Sequence, residues 1–201
     1  MKTPRMPKGR AGKALATLAV VGAAGSLAGV GAFSAFSSTT TNPGNSFASG
    51  TVVLADNDLN GFMYSLTNQK PGVVTDKCIQ VTYTGSLDAS VKLYTGSTID
   101  TLGPYVNMTI TQGTQATPSF PDCTGFTADA TGTIYTGTLA NFATTYHDYA
   151  SGLATTPAGA TKWTSAAGTL VYKFSVQVAD NDSAQGKTTG SHDFVWQARN
   201  Q

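Results

Sequence analysis

Thr169 to Ala179 reads TLVYKFSVQVA, and within it Leu170, Tyr172, Phe174, Val176 and Val178 recur at every second position. A period of two puts successive side chains on opposite faces of an extended chain, so this stretch is a strand with one apolar face. After the turn-rich run from Asp180 to Gly190, Ser191 to Ala198 repeats the pattern, with His192, Phe194 and Trp196 alternating with Asp193 and Val195. The two stretches read as a strand pair.

Working outward, the same signature recurs. Lys77 to Thr84 (KCIQVTYT) sets Ile79, Val81 and Tyr83 against Cys78, Gln80 and Thr82. Ala89 to Tyr94 puts Val91 and Leu93 on one side and Lys92 on the other, and with only Gly85-Ser86-Leu87-Asp88 between them the two runs read as a hairpin. Tyr105 to Thr111 (YVNMTIT) continues the pattern, whereas Gln112 to Thr127, with Pro118, Pro121 and Cys123, reads as a long loop. Nearer the N-terminus, Phe62 to Leu66 alternates as a half-buried strand. Asn45 to Leu54, following the turn-forming Asn42-Pro43-Gly44, reads as the first strand of the fold. One helix is expected, capped by Thr138, with Leu139, Phe142, Ala143, Tyr146, Tyr149 and Leu153 on one face and Gly152 ending it. Strands separated by turns, without βαβ alternation, indicate a mainly β chain: a single-domain, jelly-roll-like antiparallel β-sandwich with one short helical insertion.

Thr occurs 32 times, and all eleven acidic residues are Asp, with no Glu. Thr favours strands and Asp favours turns, so composition leans the same way. Five basic residues (Lys2, Arg5, Lys8, Arg10, Lys13) precede an uncharged, Ala/Gly/Val/Leu-rich run from Ala14 to Val30. This is the layout of a secretory signal peptide. Small residues at the −3 and −1 positions allow cleavage before Phe33 or before Ala35. The expected plan is a removed leader over 1–34, an N-terminal extension over 35–50 and a sandwich domain over 51–201. Without the leader, seven basic residues face eleven acidic ones, a net charge of −4. That balance excludes a basic nucleic-acid footprint, and no membrane association is expected after cleavage. Cys78 and Cys123 are the only cysteines, and a lone pair in an exported chain reads as a disulfide.

A zinc peptidase needs a tight ligand cluster, but His147 and His192 are far apart and there is no HExxH. The pairs His147-Asp148 and His192-Asp193 lack a Gly-x-Ser-x-Gly nucleophile elbow, so they read as surface histidines beside aspartates. No catalytic residue and no cofactor is expected. Asp56, Asp58 and Asn60, followed by Gly61, match the opening of a calcium loop. Its twelfth position is Thr67, which excludes an EF-hand and leaves a weaker calcium site or a plain turn. Asp180 and Asp182 form a second acidic turn.

Taken in chain order, Ala35-Phe36, Asn45 to Val52 (NSFASGTV), Lys70-Pro71-Gly72, Tyr83 to Leu87 (YTGSL), Tyr172-Lys173-Phe174, Gln185-Gly186-Lys187 and Phe194 to Ala198 (FVWQA) resemble the TasA/camelysin family of secreted fibre and surface proteins, in its actinobacterial form. The resemblance implies a jelly-roll domain exported through a dedicated signal peptidase and assembling into fibres of an extracellular matrix. It also implies that the mature N-terminal strand of one subunit completes a sheet of the next. Here that donor would run from Ala35 to Phe47, with Phe36 and Phe47 as apolar anchors. Ser37 to Asn45 is Thr/Ser-rich and Pro43 cannot donate a ladder hydrogen bond, so this segment departs from an ideal donor. A flexible tether is the competing reading of the same residues. The function expected is therefore a secreted structural protein of the matrix or cell surface that self-associates. The alternative is a monomeric secreted binding module for a glycan or calcium. Extracellular peptidase activity, which the camelysin name carries, ranks last.

Overall fold

Strands dominate the residues that the computed structural model describes, which are 41–42, 45–46, 49–66 and 68–201. The chain divides into two units, Met1–Ser49 and Gly50–Gln201. In the first, β1 (Thr41–Asn42) pairs antiparallel with β2 (Asn45–Ser46), Thr41 facing Ser46. Residues 49–53 lie in no strand, so the strand expected over Asn45 to Leu54 is not continuous.

The second unit holds β3 (Leu54–Asp56), β4 (Val74–Tyr83), β5 (Ala89–Tyr94), β6 (Val106–Gln115), β7 (Phe126–Thr138), α1 (Leu139–Thr145), β8 (Leu153–Thr155), β9 (Thr169–Val178) and β10 (Val195–Asn200). They form two antiparallel sheets, one of order β3-β4-β9-β6-β7 and one of order β10-β5-β8. The apolar faces read from the sequence meet in one core. Ile79, Val81 and Tyr83 of β4, Met108 and Ile110 of β6, and Leu170, Tyr172 and Phe174 of β9 pack with Val91 and Leu93 of β5, Phe142 of α1 and Trp163. A chain so rich in Thr, Ala and Gly has few large side chains, and burying each contributes about 1.5–3 kcal/mol. The result is a β-sandwich with five strands against three.

Two expected pairings are replaced by crossings between the sheets. β4 and β5 are not a hairpin, because residues 85–88 carry the chain from one sheet to the other, and the two apolar faces meet across the core instead of lying side by side. Likewise β10 pairs with β5, with Trp196 opposite Leu93, and its rings face β9 across the core: Tyr172 and Trp196 lie 5.3 Å apart, and Phe174 and Phe194, the residue before β10, 4.7 Å. Alternation fixes which face is apolar but not which strand lies beside it.

Phe62 to Leu66 is not a strand. Leu59 and Asn60 have positive φ, and Phe62 is 84% exposed, while Tyr64 turns inward and donates to Phe174 O at 2.7 Å. The helix is shorter than its apolar spacing suggests. Thr138 Oγ1 accepts from Asn141 N at 3.2 Å as the cap, but the helix stops at Thr145. Beyond it, Asp148 draws the chain into a turn by accepting from Ser151 N at 2.7 Å, Tyr149 reaches Ser90 O, and Leu153 joins β8 opposite Leu93. The loop expected over Gln112 to Thr127 shrinks to 116–125, because β6 runs on to Gln115 and β7 starts at Phe126. Cys78 and Cys123 form the disulfide, with Cα atoms 5.1 Å apart.

Candidate functional site

β7 is the outermost strand of the five-stranded sheet and its longest, with 13 residues. Its Thr127, Thr131, Thr133, Thr136 and Thr138 are β-branched and suit a pleated surface. One side pairs with β6, from Asn107 opposite Thr138 to Gln115 opposite Phe126. Thr111 faces Thr133 but Gly113 faces Ala128, so residues 129–132 bulge out against Gln112 alone. Glycine is required at this point by close approach: a Cβ on Gly113 would strike the Thr127 carbonyl, and one on Gly132 the Gln112 carbonyl. The bulge lines a shallow cleft of about 230 Å³ with Thr111, Asp129, Thr131 and Thr133. Asp129 Oδ2 is buried there without a hydrogen-bond partner among the described residues.

The acidic turn is built from its own backbone. Asp56 Oδ1 accepts from Asp58 N at 3.1 Å and Asp58 Oδ1 from Asn60 N at 2.7 Å. Burial pushes the Asp56 carboxyl above its ordinary range, its bond from Asp58 N opposes this, and the Asp58 charge adds to it. The three residues expected to ligate calcium are thus brought together, with one oxygen of each aspartate already engaged by an amide. Leu59 and Phe62 project from this turn, 91% and 84% exposed. The second acidic turn is a 3₁₀ turn, Asp182–Ala184, capped by Asn181, whose Oδ1 accepts from Ser183 N. No group of three or more His, Cys, Asp or Glu side chains able to hold a metal ion occurs among the described residues.

The histidine pairs do not form relays. His147 Nδ1 lies 3.1 Å from Thr144 O, while the neighbouring Asp148 takes Ser151 N and Ser151 Oγ, bonds that hold its carboxyl below the usual range. His192 Nδ1 lies 3.3 Å from Gly190 O, and Asp193 accepts from Ser97 Oγ. Between α1 and residues 95–99 is a second cleft, of about 330 Å³, lined by Thr95, Ser97, Ile99, Thr144 and His147. It offers hydroxyls over a small apolar floor.

Phe36 and Phe47, the expected assembly anchors, lie outside the described residues, as does the uncharged run from Ala14 to Val30. Among the described residues no helix is long and apolar enough to cross a membrane. The residues that sequence reasoning passed over are those of β7. Its strand signal is the density of Thr, without the alternating large apolar side chains that mark β4 and β9. No family model matches this chain and no curated protein matches it, so the edges, turns and clefts described above carry the functional argument.

Proposed function

We propose that this chain is a secreted structural protein of an extracellular matrix or cell surface, of TasA/camelysin type, whose copies assemble when the segment Ala35 to Phe47 of one adds as a strand to a sheet of the next. The observation that carries the reading is β7, a 13-residue strand at the outside of its sheet that contains neither Lys nor Pro and only one charge, Asp129. Edge strands are ordinarily blunted by such residues, by shortness, by a bulge or inward charge, or by a cover. β7 carries the bulge and Asp129 at 129–132, and from Thr133 to Thr138 its outward N–H and C=O groups are a template for another strand. An added strand satisfies those groups while its alternate side chains seek pockets. Phe36 and Phe47 are the large apolar side chains of the donor segment, and the family-like blocks running from leader to C-terminus support the same reading.

The test is electron microscopy of protein beginning at Ala35 beside protein beginning at Thr51 under identical conditions. Fibres from the longer form alone are the expected result. Two monomeric samples across pH, salt and concentration would sink the proposal.

A second reading, a monomeric binding module for calcium or a glycan, draws on the acidic turn and its exposed Leu59 and Phe62. A calcium-dependent rise in melting temperature without assembly would select it.

A further inference from the structure

The outer edge of β4 is closed by three different devices in succession. β3 pairs with it from Val81 to Tyr83 and then ends. Asn57 makes the next contact, its backbone N donating to Gln80 O at 3.2 Å and its side-chain Oδ1 accepting from Gln80 N at 2.8 Å. Two residues further along, Cys78 N donates to Pro121 O at 3.1 Å. Pro121 belongs to the loop 116–125, which Cys123 fastens to Cys78 itself.

That loop is held at several points. Gln115 Nε2 donates to Asp122 O at 3.1 Å and to Thr124 O at 2.9 Å, and Lys173 Nζ of β9 sits 5.6 Å from the centre of the Phe126 ring. A connection between β6 and β7, at the far side of the sheet, therefore reaches past β9 to the edge of β4. A simple hairpin link between β6 and β7 has no need of that detour or of a covalent staple at its end. Strand amides alternate sides, so Asp76 and Val74, in step with Gln80 and Cys78, turn theirs to the same edge. There the apolar Val73 and Val74 are 50% and 57% exposed.

We propose that loop 116–125 is an edge guard seated at Cys78, and that the strand segment around it, Val74 to Gln80, is a latent pairing surface for a second copy of this chain. The partner strand is the β7 edge of that copy, the long edge that carries neither Lys nor Pro. Pairing β4 of one molecule with β7 of the next is head-to-tail, so each added copy presents the same free edge again and an unguarded edge leads to assembly beyond a dimer, as a ring or a filament. The stapled loop prevents this and leaves β7 as the open edge of the sheet. The inference needs no N-terminal donor segment and stands whether or not that segment builds fibres.

The test compares the disulfide-bonded protein with Cys78→Ala/Cys123→Ala by hydrogen exchange and by sedimentation across concentration. Exchange at the amide of position 78 is expected to rise roughly tenfold or more, the size of a lost hydrogen bond, while Gln80, held by Asn57, and the β9-facing amides of Ile79 and Val81 stay protected. The variant is expected to associate, and adding Val74→Lys, a charge on the exposed edge, to return it to monomer. A folded variant that stays monomeric, or association that Val74→Lys leaves unchanged, overturns the inference. Should the cysteine-free chain fail to fold, Asn57→Ala with the disulfide intact reads the same edge. Exchange at Gln80 alone is expected to rise, with Cys78 protected and the protein monomeric. Loss of protection at Cys78, or association, in that variant would show that the stapled loop is not what closes the edge.

Discussion

The hydroxyl of Tyr172 in β9 donates to Thr155 Oγ1 in β8 at 2.9 Å, a hydrogen bond that spans the two sheets. Thr155 Oγ1 in turn donates to Val91 O at 3.3 Å, and the Thr155 carbonyl accepts from Trp163 Nε1 at 2.7 Å. Both residues are buried, so neither hydroxyl can turn to water. Thr155→Val leaves the Tyr172 donor unmatched and takes away the side-chain bond to Val91 O, and is expected to cost about 1–3 kcal/mol. Tyr172→Phe leaves the Thr155–Val91 bond in place and should cost less. The double variant is expected to fall well short of the sum, as denaturant unfolding of the four proteins would reveal. Additive losses would mean the two sheets are not coupled here.

Tyr172 and Tyr64 also set the alkaline limit of the fold. Burial pushes both hydroxyls well above the ordinary tyrosine value of 10.0, with the Asp76 charge adding to the effect at Tyr64. A folded-state value above the unfolded one means that stability is fully present below pH 10.0 and is lost as the pH rises towards the folded values. Tyrosinate absorbance and circular dichroism followed together should show these two residues ionising only as the strands melt. Tyr172→Phe and Tyr64→Phe are each expected to move the alkaline midpoint upward. Ionisation of all eight tyrosines near pH 10.0 with the strand signal intact would contradict this.

The disulfide closes a loop of 45 residues, which on the chain-entropy account stabilises the fold by about 4 kcal/mol. Its removal should lower the guanidinium midpoint markedly while leaving a cooperative transition, since domains of this kind have stabilities of about 5–15 kcal/mol. A midpoint unchanged by reductant would place the cross-link outside the stability of the domain.

A charge on β7 separates strand addition there from assembly by any other surface. Thr136→Lys sits at an exposed position of that strand, where the added ammonium opposes an incoming strand. It is expected to leave the monomer folded, within about 0.5 kcal/mol of the parent, and to abolish fibres of the form beginning at Ala35. Fibres forming at the parental rate would exclude β7 as the acceptor.

Phe142 fixes the helix to the sandwich, with its ring 5.0 Å from Tyr135 and 5.9 Å from Phe194. Phe142→Ala removes a fully buried ring and is expected to cost about 3–5 kcal/mol, measured as a shift in denaturant midpoint. A cost under about 1 kcal/mol would mean that α1 is an appendage and not part of the core.

Period-two patterning was enough to mark β4, β5, β6 and β9 with their buried faces, and a threonine ahead of an apolar turn was enough to start α1 at Leu139. These are local facts: a half-buried strand must alternate, and a helix must satisfy its first amides. The two cysteines announced a covalent link for equally general reasons of composition and context. Partnership was not legible, because the same alternating strand fits beside any neighbour or across a core from it. Tertiary packing alone decided that β4 and β5 face each other between sheets, that β10 lies beside β5, and that Phe62 to Leu66 stays unpaired. It also decided the edges. β7 lacks the large apolar side chains that betray a strand, and the guarding of β4 joins the Pro121 carbonyl and the backbone and side-chain amide of Asn57 to backbone groups far away in sequence, so no local pattern of side chains could have foretold it.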